Sequence, residues 1–498
     1  MLENILLGLQ TALTLENIFY CFAGVFLGTF IGVLPGIGSL AAVSMLLPLS
    51  FYLDPTTALV MLAGVYYGAE YGGSTASILL NLPGTPSSAV TCLDGYPMAM
   101  AGRAGVALFI TTIASFVGGS IGILMLMLFA PLLASFALSF GPSEYFALMT
   151  LGLVAAAGVV QGSPLKGLAM VLLGLLLGSV GVDINTGETR LTFGLQGLYD
   201  GISLVALAMG LFGVAEIISS INTHKPASSG MKVRLRSMLP SSEESRKIGF
   251  PMLRGAGIGS FFGALPGAGQ SIASFIGYSV EKRMSKDPSR FGKGAPEGLA
   301  SPEAANNAAV QASFVPTLTL GIPGSATMAL MMGALLIHGI TPGPGLISDR
   351  PDIFWGLTMS FWIGNIMLLI LNIPLIGIWV SLLKIRYSYL YPTILCLICI
   401  GVYTLNYSLF EVALVLFFGA LGYSMRLLGF EPAPVIIGFV LGPMLEENLR
   451  RAMLMARGDF TVLLSRPITA VLLAIAAILL IRMAIQMIRR SQRSTANP

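Results

Sequence analysis

Charged side chains are scarce in this sequence. Lysine, arginine, aspartate and glutamate make up 10% of the 498 residues, whereas a soluble globular protein has about a quarter. Hydrophobic residues make up 55%, so a fold surrounded by water would have to expose a largely apolar surface. The composition therefore excludes an ordinary soluble protein and predicts an all-α protein that crosses a membrane several times.

Residues typical of catalytic and metal sites are also rare. The chain has two histidines and four cysteines, and it lacks both the phosphate-binding lysine motif of ATPases and the HExxH motif. Cys396 and Cys399 match a CxxC pattern, which we interpret as a pair within an apolar helix. The net charge of +4 gives no indication of nucleic-acid binding. We therefore expect neither an enzyme nor an ATPase, and no nucleic-acid partner.

Long apolar runs are abundant instead. A helix needs about 20 apolar residues to cross a bilayer, and the runs predict about 10–12 spanning helices. The run at 105–138 exceeds one straight span, so we expect a tilt or a break near Pro131. The runs lie at 17–34, 55–71, 105–138, 143–160, 164–184, 199–220, 352–380, 388–405, 409–428, 433–445 and 467–487.

The longest polar stretch, 221–249, divides the chain near its middle. It contains six lysines and arginines, and the C-terminal tail is basic as well. Basic loops of membrane proteins remain on the cytoplasmic side, so we expect both segments to be cytoplasmic. The sequence thus predicts a first half at 1–220, a basic linker at 221–249 and a second half at 250–498.

Two strings recur in the two halves. Residues 28–38 read GTFIGVLPGIG and residues 259–269 read GSFFGALPGAG, an offset of 231 positions (259 − 28). Further on, NLPGTP at 81–86 corresponds to GIPGSA at 321–326, an offset of 240 (323 − 83). Paired Pro/Gly interruptions in two halves indicate the binding site of a secondary transporter. We therefore predict broken-helix motifs at 28–38, 72–88, 259–271 and 301–327.

The distribution of charge indicates that the halves are inverted. Residues 1–102 contain no lysine or arginine, whereas basic residues flank the second-half motif on both sides. If the chain enters the bilayer, turns at Pro266-Gly267 and returns, both flanks stay cytoplasmic. Each arm then has about 11–13 residues, roughly 17–20 Å. We expect re-entrant hairpins in two inverted repeats; a direct repeat of kinked spans is the alternative.

The breaks supply chemistry for an anion and its driving ion. Helix N-termini favour carboxylates, and unwound carbonyls favour Na+. The residues predicted to bind substrate are Gly36, Gly38, Ser39, Ser74, Thr75, Asn81, Gly84, Thr85, Gly267, Gly269, Gln270, Ser271, Gly324 and Ser325.

Two acidic residues lie in apolar or small-residue stretches, where a carboxylate is a functional candidate by default. Glu303 shares a helix face with Asn306 and Asn307, with Pro302 in the first helical turn; structural hydrogen bonding is the alternative role for Glu303. The residues predicted to couple the ion, with Na+ at the Pro-Gly breaks, are Pro35, Glu70, Pro83, Pro266, Glu303, Asn306, Asn307, Thr317, Thr319 and Gly321.

Together these motifs resemble the large membrane subunit of the tripartite tricarboxylate transporters. The residues that carry the resemblance are Leu34–Gly38, Gly72–Thr75, Asn81–Pro86, Leu265–Gly269 and Pro302–Asn307, and it extends over about residues 15–485. The resemblance implies a multi-pass secondary carrier of the bacterial inner membrane. It also implies a small four-helix membrane subunit and a periplasmic solute-binding protein as partners.

The resemblance further implies a carboxylate substrate, such as citrate, driven by Na+ or H+ with no other cofactor. We expect alternating access, with the broken hairpins moving as an elevator against the more continuous helices. A passive carboxylate channel and a non-transporting scaffold subunit are the alternatives.

Overall fold

The computed structural model of the chain describes residues 2–160, 163–183, 185–220, 238–265, 269–382 and 387–495. In these ranges the regular structure is helical apart from two short antiparallel strands, β1 (Gly181–Val182) and β2 (Thr189–Arg190). The predicted all-α polytopic class is confirmed.

The described part of the first half contains ten α-helices, with 3-10 turns at Pro86–Ser88 and Gln196–Leu198 and π-helical segments at Ala99–Arg103 and Met209–Val214. The helices are α1 (Leu2–Ala12), α2 (Leu15–Val33), α3 (Gly38–Ser50), α4 (Pro55–Leu80), α5 (Ala89–Met98), α6 (Ala104–Ala137), α7 (Pro142–Val159), α8 (Pro164–Gly178), α9 (Leu204–Ala208) and α10 (Ala215–Ser220).

The described part of the second half contains thirteen α-helices. They are α11 (Ser242–Gly263), α12 (Gly269–Met284), α13 (Glu297–Ala312), α14 (Phe314–Leu320), α15 (Ala326–Ile337), α16 (Gly345–Asp349), α17 (Pro351–Asn372), α18 (Ile376–Leu382), α19 (Tyr387–Asn406), α20 (Leu409–Leu427), α21 (Ala433–Met455), α22 (Val462–Ser465) and α23 (Pro467–Thr495).

Five helical segments of the described chain are long and apolar enough to cross a membrane. The other apolar runs do not meet both criteria, although the run at 55–71 lies within the uninterrupted 26-residue helix α4. The run at 164–184, for example, is helical only to Gly178 and continues into β1. Helix α6 passes through Pro131 without a break. The five segments are Leu15–Val33, Pro86–Ala137, Pro351–Asn372, Leu409–Leu427 and Pro467–Gln486.

Helices α2 and α4 pack with their backbones in direct contact. Three glycines of α2, spaced four residues apart, face α4. A Cβ on any of them would lie between 2.1 and 2.4 Å from a carbonyl oxygen of α4, so no larger residue fits. Both partners advance in the same direction along their helices, so α2 and α4 are parallel. The contacts join Gly24 to Met61, Gly28 to Val65 and Gly32 to Ala69.

The second half repeats this interface at the offsets read from the sequence. Three glycines of α11 face carbonyl oxygens of α13, and a Cβ on each would lie 2.1 to 2.4 Å from them. The glycines are displaced by 231 positions from those of α2 (259 − 28), and their partners by 240 from those of α4 (305 − 65). The contacts join Gly255 to Ser301, Gly259 to Ala305 and Gly263 to Ala309.

The parallel packing requires each chain segment between the paired helices to turn back. Helix α3 follows the break after α2, and only residues 51–54 separate it from α4, so α3 must return toward the start of α2. Helix α12 makes the same return, since Arg254 of α11 pairs with Glu281 of α12 at 2.6 Å. Each half therefore contains a helical hairpin followed by a helix parallel to its first arm.

The two halves meet in the opposite sense. Along α4, Tyr66 approaches Phe314, Glu70 accepts a hydrogen bond from Asn306, and Ser74 donates one to Glu303. Because the partner numbers fall as the α4 numbers rise, α4 runs antiparallel to the α13–α14 segment. This is the relation that an inverted repeat requires; the orientation in a bilayer, like the division at 1–220 and 250–498, stays a prediction.

One helix of each half also packs against the other half. Helix α6 packs on α13, where a Cβ on Gly118 would lie 2.2 Å from the carbonyl oxygen of Ala304. Helix α17 packs on α4, where a Cβ on Gly364 would lie 2.0 Å from the Tyr67 hydroxyl. The two halves therefore interlock and share one apolar core.

Ion pairs outside the spanning helices fasten the connecting segments. Arg450 of α21 donates to Asp183, in the hairpin that follows β1, at 2.8 Å. This hydrogen bond, with the nearby Arg190, holds the pKa of Asp183 well below its usual range. At another helix end Glu144 accepts from Arg466 at 2.9 Å. Glu144 lies in the first turn of α7.

The glycine interface makes a direct prediction for stability. Gly259→Ala places a methyl group 2.1 Å from the carbonyl oxygen of Ala305, and such overpacking costs about 1–3 kcal/mol. Gly257→Ala is the matched control, because Gly257 lies in the same helix, is exposed, and has open space around its Cβ position. We expect Gly259→Ala to lower the unfolding temperature of the purified protein and Gly257→Ala to leave it equal or higher. Equal effects of the two substitutions would contradict the packing.

Candidate functional site

The first-half breaks lie where the sequence places Leu-Pro-Gly. Helix α2 ends at Val33 and α3 begins at Gly38, and both Gly36 and Gly38 have the positive φ that favours glycine. Helix α4 ends in a left-handed Asn81, and the chain resumes helical form after Thr85. Two interruptions, at 34–37 and 81–85, thus leave backbone groups outside the helical ladder.

The second-half breaks occupy the corresponding positions. Helix α11 ends at Gly263 and α12 begins at Gly269, while Pro266 and Gly267 lie outside the described residues. Helix α14 ends in a left-handed Gly321, and Ser325 caps α15 by accepting a hydrogen bond from the Met328 amide.

The two breaks of each half touch. A Cβ on Gly84 would lie 2.3 Å from the carbonyl oxygen of Gly32 and 2.5 Å from the Cα of Gly73. The corresponding Gly324 is less confined, since its Cβ would lie 3.4 Å from the carbonyl oxygen of Gly263. Close backbone approach therefore brings the interrupted segments of one half into a single site, and the first-half site is the tighter of the two.

Glu70 lies at the centre of the first-half site and is fully buried. Its Oε2 accepts hydrogen bonds from the hydroxyls of Thr85 at 3.1 Å and Ser87 at 2.5 Å. Asn306 of the second half donates its Nδ2 to the same oxygen at 3.2 Å, and Gln270 donates to Oε1 at 3.4 Å. Both halves thus contribute donors to one carboxylate.

Glu303 forms a second buried carboxylate, 1% exposed, on the neighbouring face of α13. It accepts from three hydroxyls that belong to the first half: Ser74 at 2.7 Å, Thr91 through a short hydrogen bond, and Ser115 at 3.2 Å. Ser115 also accepts a hydrogen bond from Asn307 at 2.7 Å. The interhelical hydrogen bonding that we considered as an alternative for Glu303 is therefore present.

Among the described residues, neither carboxylate has a lysine, arginine or histidine as an ion-pair partner; their donors are hydroxyls and amides. Burying an ionised carboxylate without a compensating cation is costly, because hydrogen bonds replace only part of its hydration. Asn306 supplies a further unsatisfied acceptor beside Glu70, because its Oδ1 is buried and accepts no hydrogen bond from the described chain. The arrangement can therefore hold protons or a small hard cation ligated by oxygen.

Several predicted site residues are placed differently from the sequence interpretation. The 72–88 motif begins in the intact helix α4, so Ser74 and Thr75 lie in a continuous helix, not at a break. Gly72 is there for packing, because its Cβ would lie 2.4 Å from the carbonyl oxygen of Thr29. The expectation that Pro302 opens its helix is also wrong, since α13 begins five residues earlier at Glu297.

Other predicted residues use their side chains for hydrogen bonds to the backbone or lie at the surface. Thr317 and Thr319 donate their hydroxyls to carbonyl oxygens of their own helix, at 2.9 and 2.7 Å. Gly36, Asn81 and Pro83 are exposed. The remaining predicted residues, Pro35, Ser39, Gly269 and Ser271, lie at the helix ends that border the first break of each half.

Sequence reasoning did not assign site roles to three residues that the structure brings to the two carboxylates or beside them: Tyr66, Thr91 and Ser115. Only Tyr66 carried a signal, because the offset of 240 aligns it with Asn306 (306 − 66). Both residues reach from their own half into the other.

Helix α5 is held beside Glu303 by the buried Asp94. Its Oδ1 accepts from the amides of Gly292, Gly294 and Ala295 at 2.7 to 2.9 Å, and its Oδ2 accepts from the Tyr278 hydroxyl at 3.0 Å. Thr91, one turn earlier on α5, is thereby presented to Glu303. Asp94 is a positioning residue that ties the first half to the loop after α12.

The fold and site define a polytopic helical protein with two pairs of broken helices around two buried carboxylates. The profile described as "Tripartite tricarboxylate transporter TctA family" matches residues 18–437. The chain therefore belongs to this family of large transporter subunits. No solved structure shows a significant match.

Two curated relatives from Agrobacterium vitis are similar over long stretches. One, described as an uncharacterized 52.8 kDa protein in the TAR-I ttuC' 3' region, is 52% identical over 475 residues, covering 95% of this chain and 94% of the relative. The other, an uncharacterized protein in the TAR-II ttuC' 3' region, is 52% identical over 231 residues, covering 46% of this chain and 96% of the relative.

The Asp94 contacts make a prediction that uses a native cysteine. Asp94→Ala removes an acceptor of four hydrogen bonds, so α5 should loosen and the half-buried Cys92 should react faster with a maleimide. Tyr278→Phe removes one of the four donors and should have a smaller effect. The measurement is the labelling rate in a protein whose other three cysteines are serine. Asp200→Ala, at an exposed loop, is the control; an unchanged rate in Asp94→Ala would show that Asp94 does not hold α5.

Proposed function

We propose that this chain is the membrane-embedded carrier subunit of a binding-protein-dependent importer of carboxylates, driven by Na+ or H+. The observation that carries the proposal is the pair of buried carboxylates, Glu70 and Glu303, whose hydrogen-bond donors in the described chain are hydroxyls and amides. Each would need a proton or a cation in the membrane interior, so its occupancy would depend on the ion gradient. Membership of the tripartite tricarboxylate transporter family supports the substrate class.

Alternating access would follow from the arrangement of the breaks. Each half contributes a hairpin and a broken helix, and the two carboxylates lie between the halves, bound by donors from both. A change in the ion bound there would alter the hydrogen bonds that join the halves. The hairpins and broken helices would then move together against the remaining helices, which is an elevator mechanism. This movement would expose the site to one side of the membrane at a time.

The proposed partners are a small four-helix membrane subunit and a periplasmic solute-binding protein. The setting would be the inner membrane of a bacterium, with the basic 221–249 segment and the C-terminus in the cytoplasm. The basic residues of 246–293, around the open end of the second-half hairpin, support this orientation. The coupling ion would be the only non-protein group required.

Uptake into proteoliposomes tests the proposal. Vesicles containing both membrane subunits, supplied with the binding protein, should accumulate radiolabelled citrate or succinate under an inward Na+ or H+ gradient. We expect Glu70→Gln and Glu303→Gln to lose at least 90% of gradient-driven uptake while still inserting, because the neutral amide cannot exchange a proton or balance a cation. Glu447→Gln, at an exposed ion pair with Arg451, is the matched control and should retain uptake.

Three results would contradict the proposal. Flux that needs neither the binding protein nor an ion gradient would indicate a passive channel. An absence of flux with every carboxylate and both gradients would indicate a scaffold. Full gradient-driven uptake by both glutamine variants would remove the carboxylates from the mechanism.

A further inference from the structure

The two break sites occupy equivalent positions in the repeats but carry different side chains. The offset of 231 aligns Ser39 with Gln270, and the offset of 240 aligns Glu70 with Val310 and Thr85 with Ser325. The same offset aligns the two residues that reach across from the opposite half, Tyr66 and Asn306. One site thus contains a carboxylate where the other contains an isopropyl group, so their affinities for charge must differ.

The first-half site is closed and rich in acceptors. Ser39, Glu70 and Thr85 are each at most 4% exposed. The site offers carboxylate and hydroxyl oxygens, and the buried Oδ1 of Asn306 accepts nothing from the described chain. An orphaned amide oxygen beside a carboxylate that lacks a basic partner is suited to a small cation, which prefers oxygen ligands.

The second-half site is neutral and more open. Gln270 and Ser325 are half-buried, and Gly324 stands farther from its neighbours than Gly84 does. The Tyr66 hydroxyl donates to the Oε1 of Gln270 at 3.2 Å. Ser313 lies beside the same break, since a Cβ on Gly324, next to Ser325, would lie 3.7 Å from the Cβ of Ser313. Hydroxyl and amide donors therefore converge on a site with no carboxylate of its own to repel an anion.

Helix polarity strengthens this difference. Ser325 caps α15, a helix of 12 residues, so the first amides of α15 and its positive dipole end lie beside the same hydroxyl groups. In the first half the corresponding helical segment, Pro86–Met98, begins with the 3-10 turn Pro86–Ser88. The hydroxyls of Thr85 and Ser87 at its start already donate to Glu70, and the Thr85 amide donates to Ser88. The donors available to an anion are thus concentrated in the second half.

We propose that each of the two equivalent sites binds one ligand of the transporter, one the coupling cation and the other the substrate. The first-half site binds the coupling cation through Glu70, Thr85, Ser87 and Asn306. The second-half site binds a carboxylate group of the substrate through Tyr66, Gln270, Ser313 and Ser325. The inference rests on the proposed function, which it deepens by assigning each ligand to one half.

Gln270 joins the two sites and supplies a route for coupling. Its Nε2 donates to Glu70 and its Oε1 accepts from Tyr66. A cation bound at Glu70 neutralises that carboxylate and releases the Gln270 amide, which can then donate to the substrate. Binding of either ligand therefore favours binding of the other, as symport requires.

The test separates the two ligands by kinetics in the reconstituted complex, with labelled citrate as the probe, or succinate if citrate is not carried. Tyr66→Phe and Ser325→Ala should raise the KM for the carboxylate at saturating Na+ at least tenfold, and change the Na+ concentration for half-maximal rate less than twofold. Asn306→Asp adds a negative charge to the cation site. It should change the Na+ concentration for half-maximal rate at least tenfold and the carboxylate KM at saturating Na+ less than twofold. If H+ replaces Na+, the same comparison is made against pH.

Tyr67→Phe is the control, because the Tyr67 hydroxyl faces the Cys21 thiol at 3.8 Å and touches neither site. It should change neither constant. Suppose that wild-type uptake is ion-coupled but each variant shifts the carboxylate KM and the Na+ concentration for half-maximal rate equally, or Tyr66→Phe shifts only the Na+ constant and Asn306→Asp only the KM. Either result overturns the division of ligands while the proposed function stands. If the wild-type complex shows no ion-coupled uptake, the proposed function fails and this inference with it.

Discussion

Backbone contact between parallel helices is the constraint on which the rest of the structure depends. Where Gly32 meets Ala69 and Gly263 meets Ala309, no side chain separates the two helices. This approach fixes the height of each hairpin against its partner helix, so the breaks at the two ends of the interface come together. Glu70 follows Ala69 in the chain and is consequently buried. It lies among helix ends and side-chain hydroxyls, not on the lipid-facing surface.

That packing explains how an acidic pair can exist in a chain with so little charge. The glycine interfaces occur in both halves, and the antiparallel relation of α4 to α13 brings Glu70 of one half to Asn306 of the other. Glu303 is satisfied in the same way by Ser74, Thr91 and Ser115. Neutral donors reduce the cost of burying these carboxylates without removing their charge.

Much of the architecture could be predicted from the sequence because helix breaking is a local property. Pro35-Gly36 and Pro83-Gly84 lie in breaks, since proline has no amide hydrogen to donate. Gly36 has a positive φ, and Gly84 permits close approach to the backbone of Gly32 and Gly73. The offsets of 231 and 240, read from the recurring strings, also relate the two helix pairs of the structure. The glycines at 72 and 73, however, belong to an intact helix, because a glycine that packs and a glycine that ends a helix look alike in one sequence.

The site could be predicted only in part. Glu70, Glu303, Asn306 and Gln270 were identifiable as polar groups in apolar surroundings. Thr91 and Ser115 were not, because their contact with Glu303 depends on how α5 and α6 pack against the second half. Asp94 was equally hidden, since its partners are backbone amides about 200 positions away, whose locations no local pattern encodes.

The most direct test of the account is the infrared absorption of the two carboxyl groups in the purified complex. The central claim is that Glu70 and Glu303 cannot both stay ionised unless a cation is bound. In Na+-free choline buffer at neutral pH, the account predicts a C=O stretch from protonated carboxyl groups, reduced in both Glu70→Gln and Glu303→Gln. A spectrum with only ionised-carboxylate bands, unchanged by either substitution, would contradict it.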